Sequence, residues 1–389
     1  MTKLLKIYNF SKFKITKGRG VFLFDQNNKR YLDFSSGIAV NTFGYNHPLI
    51  IKVINEQLKT GILHLSGSQL HKYKILLSSE LSKLSNKGSV YFSNSGTESI
   101  EAALKFAKIW GNKNKKKSEI ISMQRSFHGR TLGSLSLGSN KFYKTGMGQI
   151  PKQVKFCKYN DSKNLKKLVS RTKTLAIIIE CIQGDGGVHV CSKEFAKSIK
   201  NICKKYNILL IVDEVQTGLG RTGKFFSYKH YGFKPDIITV AKSLGAGYPI
   251  AATIINKKIS SCVELGKHGS TFGGGMMQTR IAYNVVKFIK RKKFIKEVEK
   301  KGNYLLKQLF ILKNYFPSII KDIRGVGLMT AIEFNDNYNN NKITSLLLKN
   351  GLIVTSIGNN SIRITPPLII NRNEIDLGIK KIKLILKIL

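Results

Sequence analysis

Two apolar runs in this chain end in residues that can do chemistry. The run over residues 208–212 (ILLIV) is followed by Asp213, and the run over 236–241 (DIITVA) by Lys242, 29 positions later. Short continuous apolar runs of this kind read as buried strands. Groups at the carboxyl ends of neighbouring parallel strands face one crevice. Taken singly, neither residue needs a function. An aspartate commonly closes a strand, and the chain holds 66 lysines and arginines. As a pair they are what pyridoxal phosphate requires. The amine can condense with the cofactor aldehyde. The carboxylate can keep the pyridine nitrogen protonated, so that the ring draws electrons.

Other stretches offer complementary groups. Ser93–Ser99 (SNSGTES) joins a strand to a helix. Free N–H groups at a helix start favour an anion, and Gly96 lets the backbone approach it closely. Ser126–Thr131 (SFHGRT) carries Phe127, an aromatic ring that can stack, and Arg130, a cation that can grip a carboxylate with two hydrogen bonds. His268–Gly274 (HGSTFGG) is a loop of small residues with two hydroxyls, Ser270 and Thr271. Each motif is common by itself.

The elements that must position these groups are legible from pattern. Residues 18–45 alternate apolar and polar positions between turn signals, which predicts short antiparallel strands. Residues 69–85 read as a helix. Strand-like runs then alternate with helical stretches such as Lys193–Tyr206. The runs are SVYFS, EIISMQ, VKFCKY, LAIIIE, ILLIVDEV, DIITVA and IAATIIN. Such alternation predicts an α/β domain with a mostly parallel sheet. A long helical segment begins near residue 276. After it, Ile323–Phe334, a further helix and residues 352–370 suggest a smaller α+β domain. The expected division is 1–65 as an N-terminal segment packing with the small domain, 66–275 as the cofactor-binding domain and 276–389 as the small domain.

In order, the chain shows YLDFSSGIAVNTFGYNHP, NSGTE, SFHGRT, IECIQGDGGV, VDEVQTGLGRTGKFF, AKSLGAGYPIAA, GSTFGG, IRGVGLM and IRITPPL. This set resembles the class III pyridoxal-phosphate aminotransferases from about Gly18 to the C-terminus. The resemblance implies the fold type I of such transferases, with pyridoxal 5'-phosphate as cofactor. It implies that Gly96 and Thr97 bind the phosphate and that Phe127 and Val215 sandwich the ring. Asp213 would pair with the ring nitrogen, Gln216 would approach the phenolic oxygen, and Lys242 would carry the cofactor and move the proton. Thr271 would reach the phosphate of a neighbouring protomer, giving a homodimer with shared sites. Ser270 and Arg130 would hold the substrate, and Arg363 would grip the α-carboxylate of glutamate or 2-oxoglutarate. Asp185 would pair with Arg363 during the first half-reaction. The implied reaction moves the terminal amine of acetylornithine to 2-oxoglutarate. Ornithine, succinyl-diaminopimelate and 4-aminobutyrate remain alternative donors, because these motifs are shared. Two stretches depart from the family pattern. The usual EPIQGEGG is ECIQGDGG, with Cys181 and Asp185, and the usual GGNP is Gly273-Gly274-Gly275-Met276.

Composition bounds the partners. The formal net charge is +44 in 389 residues, and the pI is near 10.1. A balance this basic raises the nucleic-acid class. However, the lysines are spread along the chain, with short clusters only at Lys113–Lys117 and Lys290–Lys293. Asn, Ile, Phe and Tyr are abundant beside them, as AT-rich codons would give, and no helix-turn-helix, zinc or RNP pattern is present. No specific nucleic acid is expected. The five cysteines form no CxxC pair, which excludes a zinc ribbon and suits a reducing compartment. No signal segment or apolar span is read, so a cytoplasmic enzyme with small-molecule substrates, no metal and no membrane partner is expected.

Overall fold

The computed structural model describes residues 3–5, 7, 14–85, 88–114 and 117–389. Most of the N-terminal stretch read as lacking a signal segment, and part of the Lys113–Lys117 cluster, lie outside the described residues.

A seven-stranded sheet positions the chemistry. Its order is Ser89–Ser93, Ala251–Ile255, Ile237–Val240, Leu209–Asp213, Thr174–Ile179, Glu119–Met123 and Val154–Cys157. The last five strands are mutually parallel. Thr174–Ile179 and Leu209–Asp213 are buried at every residue, as strands covered on both faces must be. The strand Ala251–Ile255 runs antiparallel to both neighbours. Chain length explains the reversal. A parallel return needs a dozen or more residues, usually a helix, and the link from Val240 to Ala251 is shorter and holds only a short 3₁₀ turn, Lys242–Leu244. Asp213 pairs with Thr239, so Lys242 begins that turn just beyond the aspartate's own neighbour.

The helix Lys193–Tyr206 shows how the sheet is covered. Ser192 accepts a hydrogen bond from the Phe195 N–H at 3.1 Å and caps the start. Phe195, Ala196, Ile199 and Ile202 form the buried stripe, at the spacing of one helical face. Asn207 ends the helix with a left-handed φ of 49°, a conformation that asparagine tolerates better than most residues.

The C-terminal third builds a second sheet, antiparallel throughout, in the order Ile320–Val326, Met329–Phe334, Ser361–Ile364, Thr355–Ile357. The long helical segment from residue 276 is two helices, Met276–Ile289 and Lys292–Tyr315, parted where Arg291 turns extended. No proline or glycine marks that break. A last helix, Arg372–Leu386, starts in a capping box between Asn371 and Glu374. It sits on Phe34: a Cβ at Gly378 would fall 2.1 Å from that ring, so only glycine allows the contact. Burying such a ring stabilises the fold by about 1.5–3 kcal/mol.

The N-terminal strands Ile15–Arg19, Phe22–Asp25 and Arg30–Asp33 are antiparallel. The third pairs in parallel with Leu352–Ile353, which ties the start of the chain to its C-terminal third. Among the described residues no helix is long and apolar enough to cross a membrane.

Candidate active site

The strand Ser89–Ser93 leads through Asn94 and Ser95 into the helix Gly96–Lys113. Ser95 caps this start. Ser95 Oγ accepts from the Glu98 N–H at 3.4 Å and donates to the Glu98 carboxylate at 2.8 Å. The Asn94 N–H donates to the same carboxylate at 2.9 Å. Ser95, Gly96 and Thr97 thereby face a cavity of ≈450 Å³. A Cβ at Gly96 would lie 2.8 Å from Val215 Cγ1, so glycine is what lets the helix start approach the strand end.

The same cavity is lined by Lys242, Asp213, Val215, Gln216, Phe127 and Arg130. These come from three separate strand ends and the turns after them. Asp213 is buried and both of its oxygens are engaged. One accepts from the Val215 N–H at 2.9 Å and the Thr239 hydroxyl at 3.2 Å. The other lies 2.7 Å from His128 Nδ1. Burial alone would lower the His128 pKa, but its hydrogen bond to Asp213 and the charges of Asp213 and Glu180 raise it overall. The two form a buried hydrogen-bonded pair in which Asp213 favours a proton on His128.

Glu180 is a second buried acid in the wall. It accepts from the Phe127 N–H at 3.1 Å and the Gly184 N–H at 3.0 Å, so it braces the turn of SFHGRT against the loop that carries Asp185. Burial pushes its pKa up to about 7, His128 opposes the rise, and Asp213 adds to it. Lys242 has a left-handed φ of 43°, a strained conformation of the kind held at functional sites. Desolvation lowers its pKa to about 8, helped by the charge of Arg363 and opposed by Asp213, Glu180 and Asp185. A substantial share of this amine is therefore neutral near physiological pH, as a nucleophile or base must be.

Arg363 and Asp185 lie behind this wall. Arg363 is 1% exposed and its Nη1 donates to the Gly184 carbonyl at 2.7 Å. Asp185 is half-exposed and stands 3.9 Å away from the same nitrogen. Arg363 Nε has no partner among the described residues. Arg130 is exposed, with its guanidinium 3.7 Å from the Tyr143 ring centre and 5.5 Å from that of Phe127. Ser270 and Thr271 line a neighbouring cavity of ≈730 Å³. Ser270 Oγ accepts from the Asn94 amide at 3.2 Å, and Asn94 lines both spaces. Thr271 faces solvent. The departures sit quietly. Cys181 is buried, its thiol pushed far up by burial, and Gly275 opens the helix Met276–Ile289 with no side-chain cap.

The cavity fits pyridoxal phosphate by its own features. A helix start offers N–H groups for a phosphate. Phe127 and Val215 supply faces for a flat ring. A buried carboxylate held from behind by a histidine suits a protonated ring nitrogen. The buried Gln216 amide oxygen in the wall has no partner among the described residues. His128 and Glu180 were not singled out as site residues in sequence. His128 stands inside SFHGRT and Glu180 ends the run LAIII, but neither position shows that both meet Asp213.

The family profile described as aminotransferase class-III matches residues 7–386. The chain belongs to the class III aminotransferases. This aminotransferase is 40% identical to the acetylornithine/succinyldiaminopimelate aminotransferase of Buchnera aphidicola subsp. Acyrthosiphon pisum, over 97% of this chain and 93% of that one. It is 39% identical to the acetylornithine aminotransferase of Aquifex aeolicus, over 99% of this chain and 100% of the relative. Among solved structures, the ornithine aminotransferase of Toxoplasma gondii superposes with a TM-score of 0.94 at 28% identity, covering 99% and 93% of the two chains. As a class III aminotransferase it uses pyridoxal phosphate and acts on small molecules.

Proposed function

We propose that this aminotransferase moves the terminal amine of N2-acetyl-L-ornithine to 2-oxoglutarate, leaving N-acetylglutamate 5-semialdehyde and glutamate, a step of arginine biosynthesis. The names of its relatives support the reading. The observation that carries it is the contrast between two arginines. Arg363 is buried, bonded to Gly184 and faced by Asp185, whereas Arg130 lies open beside the cavity. A donor whose reacting carbon bears no carboxylate leaves Arg363 with its protein partner and gives its distant α-carboxylate to Arg130. When 2-oxoglutarate enters, its α-carboxylate takes Asp185's place at Arg363.

Pyridoxal phosphate, when bound, supplies the aldehyde that takes up the amine and the ring that draws electrons from the adjacent carbon. Gly96 and Thr97 would hold its phosphate, Phe127 and Val215 its faces, Asp213 its nitrogen and Gln216 its phenolic oxygen. Lys242 anchors it, then takes a proton from the amine-bearing carbon and returns it. Asp213, held in place by its hydrogen bond with His128, would face the nitrogen's proton. Ser270 assists substrate placement.

A half-reaction screen against acetylornithine, ornithine, succinyl-diaminopimelate and 4-aminobutyrate, followed by cofactor absorbance, tests the reading. Acylated donors should exceed ornithine and 4-aminobutyrate in kcat/KM by about tenfold or more. A faster reaction with either unacylated donor overturns it.

The active unit we assign is a two-fold dimer with shared sites, in the cytoplasm. Ile62, Leu63, Leu70 and Phe272 are exposed, and His64 lies 5.2 Å from Phe272, so apolar surface surrounds the solvent-facing Thr271. All five cysteines are free. We divide the chain into a cofactor-binding domain over 66–275 and a smaller domain over 276–389, with 1–65 packed on the latter. Mixing Lys242→Ala with Thr271→Glu protomers should restore up to about a quarter of wild-type activity, because about half of the dimers are then hybrids and each hybrid carries one intact site of two. Absence of recovery in demonstrably mixed dimers would count against sharing.

A further inference from the structure

Arg130 is exposed, and among the described residues its side chain has neither a hydrogen bond nor an ion pair. Aromatic rings hold it instead. Its guanidinium lies 3.7 Å from the Tyr143 ring centre and 5.5 Å from that of Phe127. The two rings meet edge to face, with centres 6.4 Å apart and planes at 86°. A cation within about 6 Å of an aromatic face is attracted by the charge distribution of the ring. The Tyr143 face is the closer of the two and the stronger hold.

The backbone fixes where that ring stands. Tyr143 closes the 3₁₀ turn Lys141–Tyr143, and Asn140 caps its start by accepting the Phe142 N–H at 3.0 Å. Lys144 follows, and its Nζ donates to the Ser136 carbonyl at 3.0 Å. Ser136 ends the short helix Leu132–Ser136, and Thr131, the residue after Arg130, caps the other end. That end is pinned as well. The Glu101 carboxylate accepts from the Thr131 hydroxyl at 2.5 Å and from the Ser134 N–H at 2.9 Å. Ring and guanidinium are therefore tied to opposite ends of one element. Phe142, the neighbouring ring, is 81% exposed, so the turn directs Tyr143 toward Arg130 and leaves Phe142 outside.

We infer that Tyr143 is a positioning residue for the donor, whose ring face holds the Arg130 guanidinium in the conformation that receives the donor's carboxylate. The inference rests on the reading above that Arg130 receives that carboxylate. A ring suits the task better than an acid. Guanidinium stacks through its face and hydrogen-bonds through its edge, so its N–H donors all stay available. An acid partner would have to be displaced first. Without the ring, a long flexible side chain spreads over many rotamers. Apparent affinity then falls with the fraction left in the binding conformation. Phe127 lines the reaction cavity and flanks the same guanidinium, so one aromatic corner serves cofactor and donor together.

Every donor in the half-reaction screen carries a carboxylate away from its reacting amine, so the holoenzyme is tested with whichever reacts fastest. Tyr143→Leu should raise KM for that donor about fivefold and leave kcat within about twofold. Tyr143→Phe, which keeps the ring face, should recover nearly all of the loss. Trifluorophenylalanine in place of Tyr143 keeps the bulk of the ring but drains its face of negative charge, so KM should rise toward the leucine value. A ring needed only for packing would not respond to fluorine. Arg130→Gln separates the two readings. If it raises KM while the Tyr143 series does not, the inference is overturned and Arg130 keeps its role. If KM is unchanged in Arg130→Gln itself, the carboxylate reading fails and takes this inference with it.

Discussion

Lys242→Ala should lower turnover by about ten-thousandfold or more while cofactor still binds, because one side chain supplies both the covalent anchor and the proton carrier. Phosphate, ring-face and nitrogen contacts all remain in the variant. Steady-state rates and equilibrium binding of pyridoxal phosphate separate the two effects. In the wild type, borohydride should fix the cofactor on the peptide containing Lys242. A label on another lysine would remove the central assignment. The lowered pKa adds a pH signature. The neutral amine is the reactive form, and the pKa is about 8. Covalent uptake by the cofactor-free protein should therefore rise with pH up to about 8 and level off above it.

Asp213→Asn should cost about a thousandfold in turnover, the scale of losing a preorganised electrostatic partner at the reacting centre. Two changes combine. The ring nitrogen loses the anion that keeps it protonated, and His128 loses the hydrogen bond and charge that raise its pKa. Burial, which lowers that pKa, then meets less opposition. The shape of the site barely changes, so the cofactor should still load. Its absorbance spectrum should shift, since the ring nitrogen is no longer protonated. A variant with wild-type turnover would show that Asp213 does not carry this role.

The parts of the molecule that sequence discloses are those set by local pattern. The buried run before Asp213 and the run before Lys242 are continuous and apolar, and they do lie side by side. The helix Lys193–Tyr206 is where its apolar spacing puts it. Direction in the sheet is less local. IAATIIN reads as a strand, but its antiparallel course follows from the short link before it. The last helix, Arg372–Leu386, packs on Phe34, a residue over 300 positions earlier, and no nearby pattern announces that contact. The same holds inside the site. His128 reaches Asp213 across 85 positions, and Glu180 reaches Phe127 across 53. Such pairs exist only once strands are ordered, so spacing along the chain cannot reveal them. The positive backbone angle of Lys242 is likewise a property of a turn clamped from outside.

The pairing of Arg30–Asp33 with Leu352–Ile353 governs how the chain is made. These strands leave the ribosome at opposite ends of synthesis. At cellular translation speeds the first waits on the order of tens of seconds for the second. In that interval Phe22, Leu23, Phe24, Tyr31 and Leu32 belong to a sheet with one edge unfilled. Exposed edges of apolar strands recruit other chains. Like charge between copies opposes such recruitment, and the finished chain carries a net charge of +44.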